Sequence, residues 1–375
     1  MTISSLKSAS PLGPARRSQP QNTPTDPQDT LSPAEQHGPE QRSPWRTALM
    51  IGGPALSLLG LAGCGQANVQ VQNQTEQQFH WLQQANGQKI DVTVGANSGA
   101  GVAMSADGQH WIAAGSKGVM IDGQWVKDGN KNLDVTVGAD SGAGVAMTPD
   151  GKHWMAAGSK GVVIDGHWVK GLDVTVGGNA GAGVAMSDDG QHWIAAGSRG
   201  VVVDGHWIKG LDVTVGANSG AGVDMTPDGQ HWIAAGSRGV VIDGQWIKDA
   251  KGHNLDVTIG SNSMAGAALS ADGQHWMAAG SRGVVKDGQW VQEGTRNLDV
   301  TIGSDSGADV AMTRDGQHWI AAGSKGVVLD GKWIAHNQRP LDVTVGSEAG
   351  AGVAITPDGQ TWMAAGSAGI VRSNR

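Results

Sequence analysis

The phrase DVT[VI]G begins at Asp91, Asp134, Asp173, Asp212, Asp256, Asp299 and Asp342, and from each of these seven aspartates a Trp follows 20 residues on. The starts are 43, 39, 39, 44, 43 and 43 residues apart. All variation falls after a second Trp, in KDGNKN, KG, KG, KDAKGHN, QEGTRN and AHNQRP. A segment that tolerates length change is a surface loop, and the rest of the unit is a fixed framework. Self-similarity at this period points to a solenoid or a propeller rather than to the two or three separate domains that 375 residues would otherwise suggest.

The two ends of the chain decide between them. The second Trp occurs at Trp125, Trp168, Trp207, Trp246, Trp290 and Trp333, and the seventh unit stops at TWMAAGSAGIVRSNR without one. Trp81 stands 10 residues before Asp91, as Trp246 stands 10 before Asp256. The N-terminal segment therefore holds the end of a unit without its beginning, and the C-terminus the reverse. A linear solenoid needs capping units with polar outer faces. Complementary halves are what a closed ring requires, and pairing them removes two open sheet edges.

Within a unit the apolar runs are short and β-branched. DVTVG reads as one strand, GVAM[ST] as a second, HWIAAGS as a third and VVIDGQWV as a fourth. The D-G and S-x-G turns between them are hairpin signals, and nothing has helical periodicity. The expected fold is all-β: a seven-bladed β-propeller over residues 79–375, with four antiparallel strands per blade, closed by the N-terminal strand completing the last blade.

Residues 145–168, VAMTPDGKHWMAAGSKGVVIDGHW, resemble WD40-type repeats: a strand, an S/T-P-D-G turn, a strand ending in G-S, then a strand closing on a Trp. The likeness covers residues 79–375. The family's G-H dipeptide is absent and its W-D is replaced by Q-W, H-W or K-W, so its buried Asp-His-Ser/Thr-Trp network does not carry over. The stretch [ST]-x-D-G-x-[HT]-W also resembles the Asp-box of other propellers, one residue short.

Ahead of the repeats, residues 1–47 are rich in Pro, Gln, Ser and charge and lack the apolar content to order themselves. Arg42 and Arg46 precede the apolar run 48–62, too short to span a membrane comfortably and of signal-peptide form. The run ends in Leu61, Ala62, Gly63 and Cys64, which resembles the bacterial lipobox. That resemblance makes 48–63 a lipoprotein signal segment and implies lipidation at Cys64, membrane attachment and a place in the cell envelope. By the same resemblance, Gly65 rather than Asp after the cysteine implies outer-membrane sorting in a cell with two membranes. Residues 64–78 then form a polar tether. Cys64 is the single cysteine, so no intramolecular disulfide can form.

Candidate binding residues are few. Net charge is −8, so no basic surplus argues for nucleic acid. The turn after G-S carries Lys117, Lys160, Arg199, Arg238, Arg282 and Lys325, with Ala368 in the seventh copy. On one face of a ring they would form a basic circle for an anionic or carbohydrate ligand; as solvated turn residues they would serve solubility alone. Asn97, Asp140, Asn179, Asn218, Asn262, Asp305 and Glu348 would lie nearby. The paired Trp would fill the wedge between blades or, alternatively, stack on sugars. The His before six of the first Trp are expected to be structural or surface residues, because a ring spreads them too far apart to share a metal. Asp224, Asp309 and Lys286 break the template, and the two carboxylates are candidates for the channel, either as a cation or substrate site or as drift in a copied unit.

No P-loop, zinc spacing or catalytic triad stands out, and seven near-identical blades do not supply the several distinct roles one active site needs. The expected function is a non-enzymatic, lipid-anchored, extracytoplasmic scaffold for protein interactions, monomeric and without cofactor, metal or nucleic-acid partner. The alternatives are a multivalent lectin-like binder of carbohydrate or anions, and a propeller hydrolase or lyase with its site in the channel.

Overall fold

The computed structural model describes residues 79–374 apart from 95–97, 138–140, 176–179, 216–218, 260–262, 304–305 and 347–348. The lipobox, the segments 1–47, 48–63 and 64–78, and Asn97, Asp140, Asn179, Asn218, Asn262, Asp305 and Glu348 lie outside the described residues.

Seven four-stranded antiparallel sheets make up the fold, and the described residues contain no helix. Blade 1 runs outward from the axis as Gly101–Met104, Trp111–Gly115, Gly118–Ile121 and Gln124–Trp125. Blades 2 to 6 repeat this pattern, starting at Gly144, Gly183, Gly222, Gly266 and Asp309. Blade 7 takes its three inner strands from Gly352–Ile355, Trp362–Gly366 and Gly369–Ser373, and its outer strand from Phe79–Trp81. Trp81 lies opposite Val371 as Trp168 lies opposite Val163. Each inner strand packs against the inner strands of both neighbours, blade 7 against blade 1 included, so the ring is continuous.

The strand boundaries differ from the sequence expectation in one respect. DVTVG is not a strand but the connector between blades. Its β-branched residues suggested a ladder, yet its backbone is satisfied otherwise: both the N–H and the Oγ1 of Thr93 donate to Asp91 Oδ1, at 2.9 and 2.7 Å, and Val92 O accepts from Lys117 N. The count of four strands holds because VVIDGQWV divides at its D-G turn into two. Asp122 and Gly123 there have φ of 47° and 82°, the left-handed pair a tight two-residue hairpin requires.

The core lies between blades. Val102, Met104 and Trp111 of blade 1 pack with Met363, Ala365 and Ile370 of blade 7, while Ala103 turns toward blade 2. Every first Trp sits in such a seam, which leaves Trp111, Trp319 and Trp362 buried. The second Trp behaves less uniformly. Trp81, Trp125, Trp246, Trp290 and Trp333 are half-buried, whereas Trp168 and Trp207 are 38% and 44% exposed. Those two belong to the blades whose connecting loop is only KG.

Candidate functional site

The ring has two unlike faces. One carries the DVT[VI]G connectors and the G-S-x-G turns. The basic circle is there, but each cation faces a carboxylate of the connector upstream. Lys117, Lys160 and Lys325 meet Asp91, Asp134 and Asp299 at 2.6, 2.6 and 2.5 Å. Arg199, Arg238 and Arg282 meet Asp173, Asp212 and Asp256 at 3.6 to 3.7 Å. The pairing has a sequence signal, a constant separation of 26 residues, that the reading of the turn by itself overlooked. Such half-exposed pairs contribute little stability, and within each pair the two charges compensate each other.

The same connectors present an apolar ring that sequence reasoning missed because it took the segment for a strand. Val94, Val137, Val215, Ile259, Ile302 and Val345 are between 42% and 53% exposed, one in each of six of the seven copies; the remaining copy, Val176, lies outside the described residues. Single exposed aliphatics are ordinary; the same exposed position repeated around one face of a ring is a candidate interaction surface.

The opposite face carries the D-G turns and a structural dyad. Asp122 Oδ1 accepts the N–H of Trp111 at 2.8 Å, and its Oδ2 pairs with His110 Nδ1 at 2.8 Å. The same geometry joins His153, His192, His231, His275 and His318 to the D-G aspartate 12 residues on. The carboxylate partner raises the pKa of His110 and His192. Each imidazole also props the next blade: a Cβ on Gly151 would stand 2.8 Å from His110 Cδ2. In blade 7 both members change together. Thr361 replaces the His, and Ser373 Oγ replaces the carboxylate in accepting from Trp362 N. Arg372 reaches across the seam to Gly108 O instead. These His are structural, in line with the sequence reading.

The axis holds the largest departures from the template. At the connector face Gly99, Gly142, Gly181, Gly220, Gly307 and Gly350 surround it in six blades. The seventh position is Met264, whose Cε would stand only 2.6 Å from a Cβ on Gly181 and 3.1 Å from one on Gly142 or Gly220. Parallel bridges tie Met264 to Gly220 and to Gly307 on either side. Its side chain therefore closes this end of the channel. The only signal in the sequence was one Met in a column of Gly.

Behind this floor lies a cavity of about 290 Å³ walled by the inner strands. Asp224 and Asp309 line it. Neither carboxylate is free of the wall. Asp224 Oδ1 accepts from Met225 N and its Oδ2 from Leu269 N of blade 5, both at 2.8 Å. Asp309 accepts from Val310 N at 2.9 Å and from Val353 N of blade 7 at 3.1 Å. Each thus joins its inner strand to the next blade. Burial pushes the Asp224 carboxyl up to about 6. It pushes Asp309 up to about 7, with the charge of Asp224 adding to the effect. Lys286, the third template break, takes no part here; its Nζ donates to Gly316 O of blade 6 at 2.9 Å.

At the far mouth a second cavity of about 210 Å³ is rimmed by Met104, Met147, Met186, Met225 and Met312. Arg314 of blade 6 bridges it to Asp188 of blade 3. The corresponding residue in the other blades is Ala106, Pro149, Pro227, Ala271 or Pro357. The two charged exceptions are of opposite sign and meet each other. Among the described residues, no group of three or more His, Cys, Asp or Glu is placed to hold a metal ion.

No protein-family model matches the chain, and no curated protein is similar to it.

Proposed function

We propose that this protein is a non-enzymatic, lipid-anchored, extracytoplasmic β-propeller that serves as a scaffold for protein interactions. The observation that carries this reading is the ring of exposed Val94, Val137, Val215, Ile259, Ile302 and Val345. It offers a partner an exposed aliphatic position repeated around the ring, with the Lys and Arg of the neighbouring turns already paired to aspartates. Residues 65–375 used as bait are expected to retain a discrete partner. Bait in which Val94, Val137, Ile259 and Ile302 are replaced by Ser should bind it at least about tenfold more weakly, since each buried aliphatic is worth on the order of 1.5–3 kcal/mol. Equal capture by both baits would remove this face from the account.

The anchor rests on Leu61, Ala62, Gly63 and Cys64. Cys64→Ser should move the protein from the membrane fraction to the soluble one, because a lost acyl chain removes about 0.8 kcal/mol per buried methylene. Unchanged membrane retention would count against lipidation.

A second reading, a multivalent carbohydrate binder, is favoured by the exposed indoles of Trp168 and Trp207 on adjacent blades. Its anion-binding form is weakened by the pairing of all six Lys and Arg with aspartates. A glycan array separates the two readings.

A further inference from the structure

The blades are nearly copies, yet the places where they differ most in chemistry converge on the axis. Met264 stands in a column of six Gly. Asp224 stands in a column otherwise of Ala, and Asp309 in one otherwise of Gly. Asp188 and Arg314 stand in a column otherwise of Ala and Pro. Drift in a copied unit scatters; it does not close one end of a channel, bar the other with a matched ion pair and place both inner-strand acids in the wall between. Nor does stability explain the acids. A carboxylate moved from water into a narrow channel is penalised, and Ala or Gly serves the same positions in the other blades. Acids held at a cost in a cavity are candidates for a binding function.

We infer that the central channel is a binding well for a small organic ammonium ion with an aliphatic body, seated against Asp224 and Asp309, with Met264 as its floor and the Asp188–Arg314 pair as its bar. The cavity, about 290 Å³, is several times the roughly 30 Å³ that one water or a bare ion occupies. The charge therefore comes on an organic body, and the absence of a metal-binding group among the described residues agrees. The remaining wall is Gly, Ala, Val, Ile355 and methionine thioether, which suits alkyl carbon. Each acid accepts two backbone N–H groups that fix its orientation, and a carboxylate has about four acceptor sites, so capacity remains for an ammonium donor. The half-exposed Asp188–Arg314 pair is held weakly enough to part for entry.

The pH dependence has a definite sign. Both acids ionise well above the ordinary carboxylate range, near 6 and near 7. The other charged groups lining the two cavities are Asp188 and Arg314, which compensate each other. The well is thus largely neutral in mild acid and gains negative charge as the pH rises through this range. Affinity for a cation should rise with pH, by about tenfold or more between about pH 5 and pH 8.

This inference does not depend on the scaffold reading. Calorimetric titration of the full chain with n-butylamine and with diaminobutane, against n-butanol as the neutral isostere, tests it. Saturable binding of an amine is expected, tighter at the higher pH and absent for the alcohol. Asp224→Ala with Asp309→Gly restores residues that other blades already carry, so the variant should fold, as its melting curve would show. It should bind at least about tenfold more weakly, as loss of a charge-assisted contact implies. No saturable amine binding, binding undiminished in the folded double variant, or equal binding of butanol would each overturn the proposal. Arg314→Ala should speed association and dissociation alike; unchanged rates would remove the bar from the model of entry.

Discussion

A chain that begins at Asp91 is expected to lose most of its stability, although it keeps every inner and middle strand. The missing residues include Phe79–Trp81, the outer strand of blade 7, whose ladder partner is Gly369–Ser373. They include Ile90, 4% exposed, and Leu82, which packs on the seam between blades 7 and 1. They also include the backbone groups that bond Ile370: its O accepts from Leu82 N at 2.9 Å and its N donates to Ile90 O at 3.2 Å. Removing several large apolar side chains at about 2–4 kcal/mol each, with unpaired backbone groups added, totals on the order of 10 kcal/mol. That is comparable to the whole stability of an ordinary domain. Thermal unfolding of the two chains side by side gives the measurement, and a fall of at least about 10 °C is expected. Trp125→Ala is the control, because it trims the equivalent side chain from a blade made of one continuous segment. It should cost about 2–3 kcal/mol and leave the transition cooperative. A synthetic peptide of residues 79–90 added to the shortened chain should raise its melting temperature with peptide concentration. A shortened chain that melts within a degree or two of the parent would mean that the ring does not depend on its N-terminal strand.

The same example shows how much of the fold was open to reading. Seven blades, four antiparallel strands in each and the D-G turns followed from invariant spacing, because copied units expose their framework by what does not vary. The role of the connector did not. DVTVG has strand composition, and only the tertiary placement of Asp91 against Thr93 and Lys117 shows why it needs no ladder. Spacing within the unit could have disclosed two further features: the 26-residue separation of the Lys or Arg from its Asp, and the 12-residue separation of the His from its own. Blade 7 signals both by losing Lys to Ala368 and the His–Asp pair to Thr361 and Ser373. The axis was least legible. Asp224, Asp309, Met264, Asp188 and Arg314 come from four blades, and a sequence does not say that position one of one copy meets position three of another. Periodicity reveals what blades share. What makes the ring functionally asymmetric lies in the exceptions, and these acquire meaning only when closure brings them together.

Closure also sets the tightest tolerance in the molecule, and Gly144→Ala should expose it. The inner strands approach so closely that a Cβ on Gly144 would stand 2.3 Å from Ala182 O and 2.9 Å from Gly183 Cα. Both are backbone atoms of the neighbouring blade and cannot swing aside as a side chain would. Blade 2 must retreat from blade 3, but seven junctions share one circumference, so the displacement is passed to the other seams. Overpacking of this kind costs about 1–3 kcal/mol in an adaptable core, and a closed ring should place Gly144→Ala at or above the upper end. Blade 6 shows that the position is not barred absolutely. Asp309 occupies it, and there the side chain recovers a hydrogen bond from Val353 N across the junction; a methyl group recovers nothing. Gly129→Ala supplies the contrast. Its φ is 60°, so any side chain is strained there by about 1–2 kcal/mol, but nothing lies within 4 Å of the added carbon. Denaturant unfolding of both variants isolates the junction. If Gly144→Ala loses no more than Gly129→Ala, the inner ring is looser than its geometry implies, and the channel it encloses would lack the rigid wall that a selective binding well requires.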